Sequence, residues 1–189
     1  MRMKKGSVCL AAILLLMLCA GCSLLTGRVR RDRIFEIEDY GITFTAAGDW
    51  EEVEDTPFDI QITNSKSYLG IMAYGEQDLS PEQTAQEVYD WQNSDLFSRR
   101  ENVEVVEQYQ EYHAGGKTIG STMFSAERDK NQNYYLSCLV RFDNRDDIFA
   151  FVMITGTPSY IQNSREDLLG ILETLELSDA SASSISSIS

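Results

Sequence analysis

Between Val103 and Thr155 four successive segments read as strands, and the connections between them are short. Val103, Val105 and Tyr109 mark the first segment, which ends at His113. Ala114-Gly115-Gly116-Lys117 turns the chain into Thr118 to Glu127, with glycine supplying the positive φ that a tight hairpin needs. Asp129-Lys130-Asn131-Gln132-Asn133 leads into the segment that carries Cys138, and Asp143-Asn144-Arg145-Asp146 leads into Ile148 to Thr155. A parallel crossover needs a dozen residues or more, so these neighbours must pair antiparallel. A four-stranded meander is therefore the predicted centre of the fold.

Upstream, the period is mostly two. Ile42 and Phe44 alternate with threonines; Phe58, Ile60 and Ile62 alternate with Asp59, Gln61 and Thr63; Tyr68 to Tyr74 is more continuously apolar. These predict three early strands, separated by an acidic turn at Glu51, Glu52, Glu54 and Asp55. Ser80-Pro81-Glu82-Gln83 has the pattern of a capping box with proline at the first helical position. The helix it opens presents Ala85, Val88, Tyr89 and Leu96 on one face, with Trp91 at the edge, and ends near Phe97 to Arg100. Thr157-Pro158 opens a second helix, whose apolar stripe is Leu168, Leu169, Ile171, Leu172 and Leu175. The expected class is α+β: a single antiparallel sheet of about six to seven strands, in the order three strands, helix, four-strand meander, helix, packed by helices.

The N-terminus reads as an address. Arg2, Lys4 and Lys5 precede an apolar core from Val8 to Ala20. That core falls short of the roughly 20 apolar residues needed to span a bilayer, so it predicts a cleaved leader. Leu18-Cys19-Ala20-Gly21-Cys22 at its end reads as a lipobox. Cleavage is expected between Gly21 and Cys22, with acyl chains on Cys22, because Ala20 and Gly21 are small enough for a peptidase pocket. Cys19, preceded by Met17 and Leu18, is the poorer lipid site. Two or more acyl chains anchor a protein stably. The expected organisation is a signal peptide over 1–21, a lipidated cysteine and basic linker over 22–35, one domain over 36–177 and a disordered serine-rich tail over 178–189. The expected location is the extracytoplasmic face of the cell membrane.

Charge is unevenly spread. The whole chain carries −14, yet beyond Arg33 only 9 basic residues face 29 acidic ones. Arg28, Arg30, Arg31 and Arg33 cluster after the anchor, where each arginine near an anionic bilayer contributes about 1 kcal/mol of attraction. A membrane-facing basic stalk and a flexible linker flavoured with arginine both account for them. A body this acidic argues against nucleic-acid binding, which needs a basic face.

Catalytic and metal chemistry find little support. His113 is the sole histidine, which excludes His-based metal clusters and Ser-His-Asp triads. Gly115-Gly116-Lys117-Thr118 lacks the upstream glycine of a phosphate loop and precedes a strand. Asp129, Asn131 and Asn133 open like a calcium loop, and Asp143, Asp146 and Asp147 offer oxygens, but hairpin turns favour Asn and Asp in any case. Glu51 and Glu54 are neighbours in one loop, unsuited to the two-sided cleft of glycoside hydrolysis. Cys138 shares parity with Leu136, Val140 and Phe142, so it is expected on a buried face. Tyr135 takes the opposite parity, towards a helix or solvent. Trp50, Trp91, Tyr109, Tyr112, Tyr134 and Tyr160 with it exceed what a core of this size requires, leaving room for an exposed aromatic contact patch beside the Gly-Gly hairpin.

Tyr40-Gly41-Ile42-Thr43-Phe44, followed by Asp49-Trp50, resembles the first strand and tryptophan-bearing turn of the PsbP-like fold. Phe149-Ala150-Phe151-Val152-Met153-Ile154-Thr155-Gly156 resembles its penultimate strand. That fold is shared by PsbP, the Mog nuclear-transport factors and DcrB-type bacterial proteins, and the resemblance covers residues 38 to 177. Ala46-Ala47-Gly48 stands where the family has a proline before the tryptophan. The resemblance implies a binding or assembly scaffold with no shared catalytic centre; PsbP-type cofactor roles do not carry over, since no residue here matches them individually, and no cofactor is expected. The expected function is a non-catalytic, membrane-anchored module that contacts another envelope protein. A small-molecule or glycan-binding lipoprotein, with a pocket between sheet and helix, is the alternative. A closed apolar pocket would favour the ligand, and a filled core the protein partner.

Overall fold

The computed structural model describes residues 31–178. Gly21, Cys22, Arg28, Arg30, the leader and the tail from residue 179 lie outside the described residues.

The predicted meander forms as four long strands. They are β6 (Glu101–Ala114), β7 (Lys117–Arg128), β8 (Asn131–Phe142) and β9 (Arg145–Gly156). With β3 (Glu51–Glu52), β4 (Ile60–Thr63) and β5 (Ser67–Gly75) they make a seven-stranded antiparallel sheet in the order β3-β4-β5-β9-β8-β7-β6. Gly115 and Gly116 turn β6 into β7 at φ 56° and 71°, and Asp129 and Lys130 turn β7 into β8 at φ 52° and 64°. The class is α+β, as the sequence predicts.

The early strand departs from the single-sheet expectation. β2 (Ile42–Ala46) pairs with β1 (Arg33–Ile37) and with β10 (Glu176–Leu177) in a separate three-stranded sheet. Thr174 clamps this junction: its hydroxyl accepts from the Thr45 amide at 2.8 Å and donates to the Thr45 carbonyl at 3.1 Å. β1 begins at Arg33, so ordered structure starts inside the stretch read as linker.

The helices also differ in register. Helix α1 (Ala85–Ser98) starts at a second capping box, four residues beyond the one expected. The Thr84 hydroxyl accepts from the Glu87 amide at 3.2 Å, and Glu87 reaches back to the Thr84 amide at 2.8 Å. Ser80 and Gln83 do form their own reciprocal turn, but Glu82 sits at φ 75°, where no helix can continue. The C-terminal helix divides at Ser164 into α2 (Pro158–Asn163) and α3 (Arg165–Glu173).

The large sheet is covered on both faces. On its first face, Leu69, Ile71, Met123, Leu136, Val140, Val152 and Ile154 pack with Ile161 of α2, Leu168 and Leu172 of α3, and Ile42 and Phe44 of the small sheet. On its second face, Tyr135, Leu139, Phe149, Phe151 and Met153 pack with Val88 and Tyr89 of α1.

Candidate functional site

Helix α1 lies over β8 and β9 and stops at Ser98, so it leaves part of the second face uncovered. Two neighbouring cavities, of about 380 and 590 Å³, share Phe58, Gln61, Leu96, Arg100, Arg128 and Met153, and together form one groove beside the second half of the helix. The floor is a gap in the side-chain layer. Gly70 of β5, paired with Met153 of β9, presents no side chain there, and Phe58 fills part of the space. The fit is close: a Cβ on Gly70 would stand 2.6 Å from the Phe58 ring.

Phe58 corrects the sequence reading, which placed it on the parity of Ile60 and Ile62. The strand begins only at Ile60, and those two isoleucines belong to the first-face core. Phe58 sits in the bend before the strand and turns to the second face.

The rim is cationic. Lys66, Arg99, Arg100 and Arg128 line the groove, against Asp95 as its one carboxylate. Arg99 pairs with Asp95 at 3.6 Å and Arg128 with Asp129 at 3.7 Å, both largely exposed. Arg100 Nε donates to the Tyr135 hydroxyl at 3.3 Å, and Lys66 Nζ stands 5.5 Å from the Tyr160 ring centroid. Neither Lys66 nor Arg100 has a carboxylate partner among the described residues. Away from the groove three arginines are matched to acids, Arg141 to Glu111 at 2.5 Å, Arg145 to Asp147 at 2.6 Å and Arg165 to Glu107 at 3.2 Å, whereas Arg33 and Lys117 bond backbone carbonyls. Arg99 and Arg100 also stand at the C-terminus of α1, where positive charge suits the helix dipole.

The other residues that sequence reasoning singled out take structural places. Arg31 is exposed. Arg33 belongs to the fold rather than to a free stalk, since its guanidinium donates to the Trp50 carbonyl at 2.9 Å and lies 5.4 Å from the Phe35 ring centroid. Cys138 is fully buried on the first face, and burial pushes its thiol up to about 12, so it is held as a neutral, unreactive group. His113 is exposed, with Nδ1 3.0 Å from the Thr118 hydroxyl. Lys117 folds its ammonium onto the Gly115 carbonyl at 2.6 Å within the hairpin, and burial lowers its pKa.

Asn131 and Asn133 use their side-chain amides as donors to backbone carbonyls two residues earlier, the behaviour of turn residues. Asp147 is clasped by Arg145, which holds its carboxyl below the usual range. Among the described residues no three His, Cys, Asp or Glu side chains converge as a metal site requires. The aromatic surplus goes mainly to packing. Trp50 and Tyr135 are buried, and Tyr109, Tyr112, Tyr134 and Tyr160 rest against the two cores. The exposed aromatics are Trp91 and Tyr68, of which Tyr68 borders the groove; no patch forms beside the Gly-Gly hairpin.

Sequence reasoning allowed for a pocket between sheet and helix but missed the cationic rim of this groove. The faint signal was scarcity: four of the nine cations beyond Arg33 meet here, from positions between 66 and 128.

No protein-family model matches this chain, and no curated protein matches it by sequence. Solved structures do match its fold. A cyanobacterial PsbP from Synechocystis superposes with a TM-score of 0.57 at 10% identity, covering 81% of this chain and 96% of that one. The Ran-binding protein Mog1p of Saccharomyces cerevisiae gives 0.53 at 12% identity, covering 80% and 98%. LpqN, involved in cell envelope biogenesis of Mycobacterium tuberculosis, gives 0.52 at 10% identity, covering 77% and 90%. Strand order, helix placement and these superpositions agree that the chain has a PsbP-like fold.

Proposed function

We propose that this protein is an extracytoplasmic lipoprotein, held to the membrane by acyl chains on Cys22, whose PsbP-like domain binds another envelope protein without catalysis. The observation that carries the reading is the groove beside α1: an apolar floor with an exposed cationic rim, on a body with a large excess of acid. Its fold neighbours lend support, one being a Ran-binding protein and another a protein involved in cell envelope biogenesis. The alternative of a small molecule or glycan draws on the cavity of about 380 Å³, within the usual size range of ligand pockets. The groove is only partly enclosed, and its exposed cationic rim suits the surface of a partner better.

Two measurements test this. Cys22→Ala moves the protein from the membrane fraction to the soluble one; retention in the membrane refutes the anchor. A photo-crosslinking residue at Tyr68, which borders the groove, captures a discrete protein in intact cells, while one at Asp146, at the far end of β9, does not. Equal capture from both positions refutes the groove as the contact.

A further inference from the structure

Resting on the protein-binding reading, we infer that the groove takes an acidic segment of its partner, anchored by one bulky apolar side chain that seats beside Phe58. Three observations carry this. Lys66 and Arg100 stand at the rim with no carboxylate partner among the described residues, Arg100 bonded to the Tyr135 hydroxyl and Lys66 near the Tyr160 ring, whereas Arg141, Arg145 and Arg165 are each matched to an acid. Cations without an acid partner attract a segment of the opposite sign.

The floor supplies the second observation. Gly70 leaves a one-residue gap in the side-chain layer, and Phe58 occupies it from an irregular segment rather than from a strand. Phe58 and Leu96 are half-buried, and both line the recess beside the filled gap. Tyr135 and Met153 beneath are each 4% exposed, so the apolar part is a pocket for a single side chain, bounded by protein.

The third is the form of the recess. Central apolar anchors surrounded by a polar rim are where interfaces concentrate their energy. Charges at the rim steer the encounter, and the buried contact sets the lifetime. The arrangement therefore assigns two separable roles: Lys66 and Arg100 to attraction, Phe58 and Leu96 to holding.

The test titrates the purified full chain with fluorescein-labelled twelve-residue peptides. One carries Glu and Asp around a central Phe; a second replaces the acids by Lys; a third replaces the Phe by Ser. The acidic Phe peptide is expected to bind at least tenfold more tightly than either control, with affinity that falls as salt rises. Lys66→Glu with Arg100→Glu is expected to weaken it at least tenfold, and the milder Arg100→Gln severalfold, in variants whose circular dichroism spectra show the fold retained. Arg141→Gln, on the same face but at the opposite end of β8 from Tyr135, leaves binding unchanged.

Equal binding of the basic peptide, or insensitivity to both groove variants, overturns the inference. So does binding of phosphatidylglycerol vesicles that is lost in the charge-reversed variant while no peptide binds, which makes the groove a lipid-headgroup site. Failure of the peptides alongside continued protein capture from Tyr68 in cells removes this partner chemistry and leaves the binding module intact. Failure of both removes the reading beneath it.

Discussion

The two faces of the seven-stranded sheet carry different loads. The first is sealed by α2, α3 and the small sheet, and Ile71, Leu136, Val152, Ile154 and Leu172 there are fully buried. The second is roofed by one helix, and beside it Phe58, Met72, Leu96 and Phe97 remain only half-buried. Polar groups follow the same division. The second face carries a buried relay in which Ser137 donates to Asn93 at 2.6 Å and the Tyr89 hydroxyl donates to Thr122 at 2.9 Å, fastening α1 to the sheet. A sealed face supplies stability; a half-roofed face keeps a surface whose burial a partner can complete. Function is expected where apolar burial is incomplete but organised.

Core truncation separates the faces most strongly. Leu172→Ala, on the sealed face, should cost about 2–5 kcal/mol, while Leu96→Ala, half-buried at the groove, should cost about 1 kcal/mol. Urea denaturation of both variants reads the difference, and equal losses would break the comparison.

Alkaline pH probes the sealed face next. Burial raises Cys138 from an ordinary 9.0 to about 12, and Tyr112, whose hydroxyl is buried without a hydrogen-bond partner, from 10.0 to about 12. Both groups keep their protons longer in the folded state than in the unfolded one. Their contribution is therefore complete below about pH 8.5 and is lost as pH rises through the folded values, at about 1.4 kcal/mol per unit for each titrating group. The urea midpoint should fall between pH 8.5 and 10.5, and Cys138→Ala should make that fall shallower. An unchanged slope in the variant would remove the thiol from the account.

At the groove, Gly70→Ala should cost roughly 1–3 kcal/mol, because the new methyl displaces the Phe58 ring. Phe58→Ala in the same chain should recover part of that loss. No recovery would mean the strand itself, and not the ring, resists the methyl.

The smallest effect concerns the roof. Thr84→Ala removes the helix cap and should cost about 1 kcal/mol, whereas Ser80→Ala, at the capping pattern the helix does not use, should cost less. Melting temperatures of the two variants decide between the boxes.

Legibility followed locality. The meander was readable because its turns are short, and Cys138 fell on the sealed face by parity alone. The start of α1 was not, since Ser80-Gln83 and Thr84-Glu87 both carry the capping-box pattern, only the Thr84 hydroxyl caps, and the left-handed turn at Glu82 separates the two. β10 was invisible: its two residues, Glu176 and Leu177, carry no period and find β2 from more than a hundred residues away. Phe58 looked like a strand residue because the alternation of its neighbours extends one step past the point where pairing stops.

The sequence by itself determined the α+β class, the antiparallel centre and the acidic balance, because periodicity, turn length and charge are local or additive properties. Tertiary structure alone decided that a second sheet forms, that α1 stops short of covering its face, and that cations from distant positions meet over a glycine. Those outcomes depend on which surfaces compete to be buried, and that competition is settled only when the whole chain is packed.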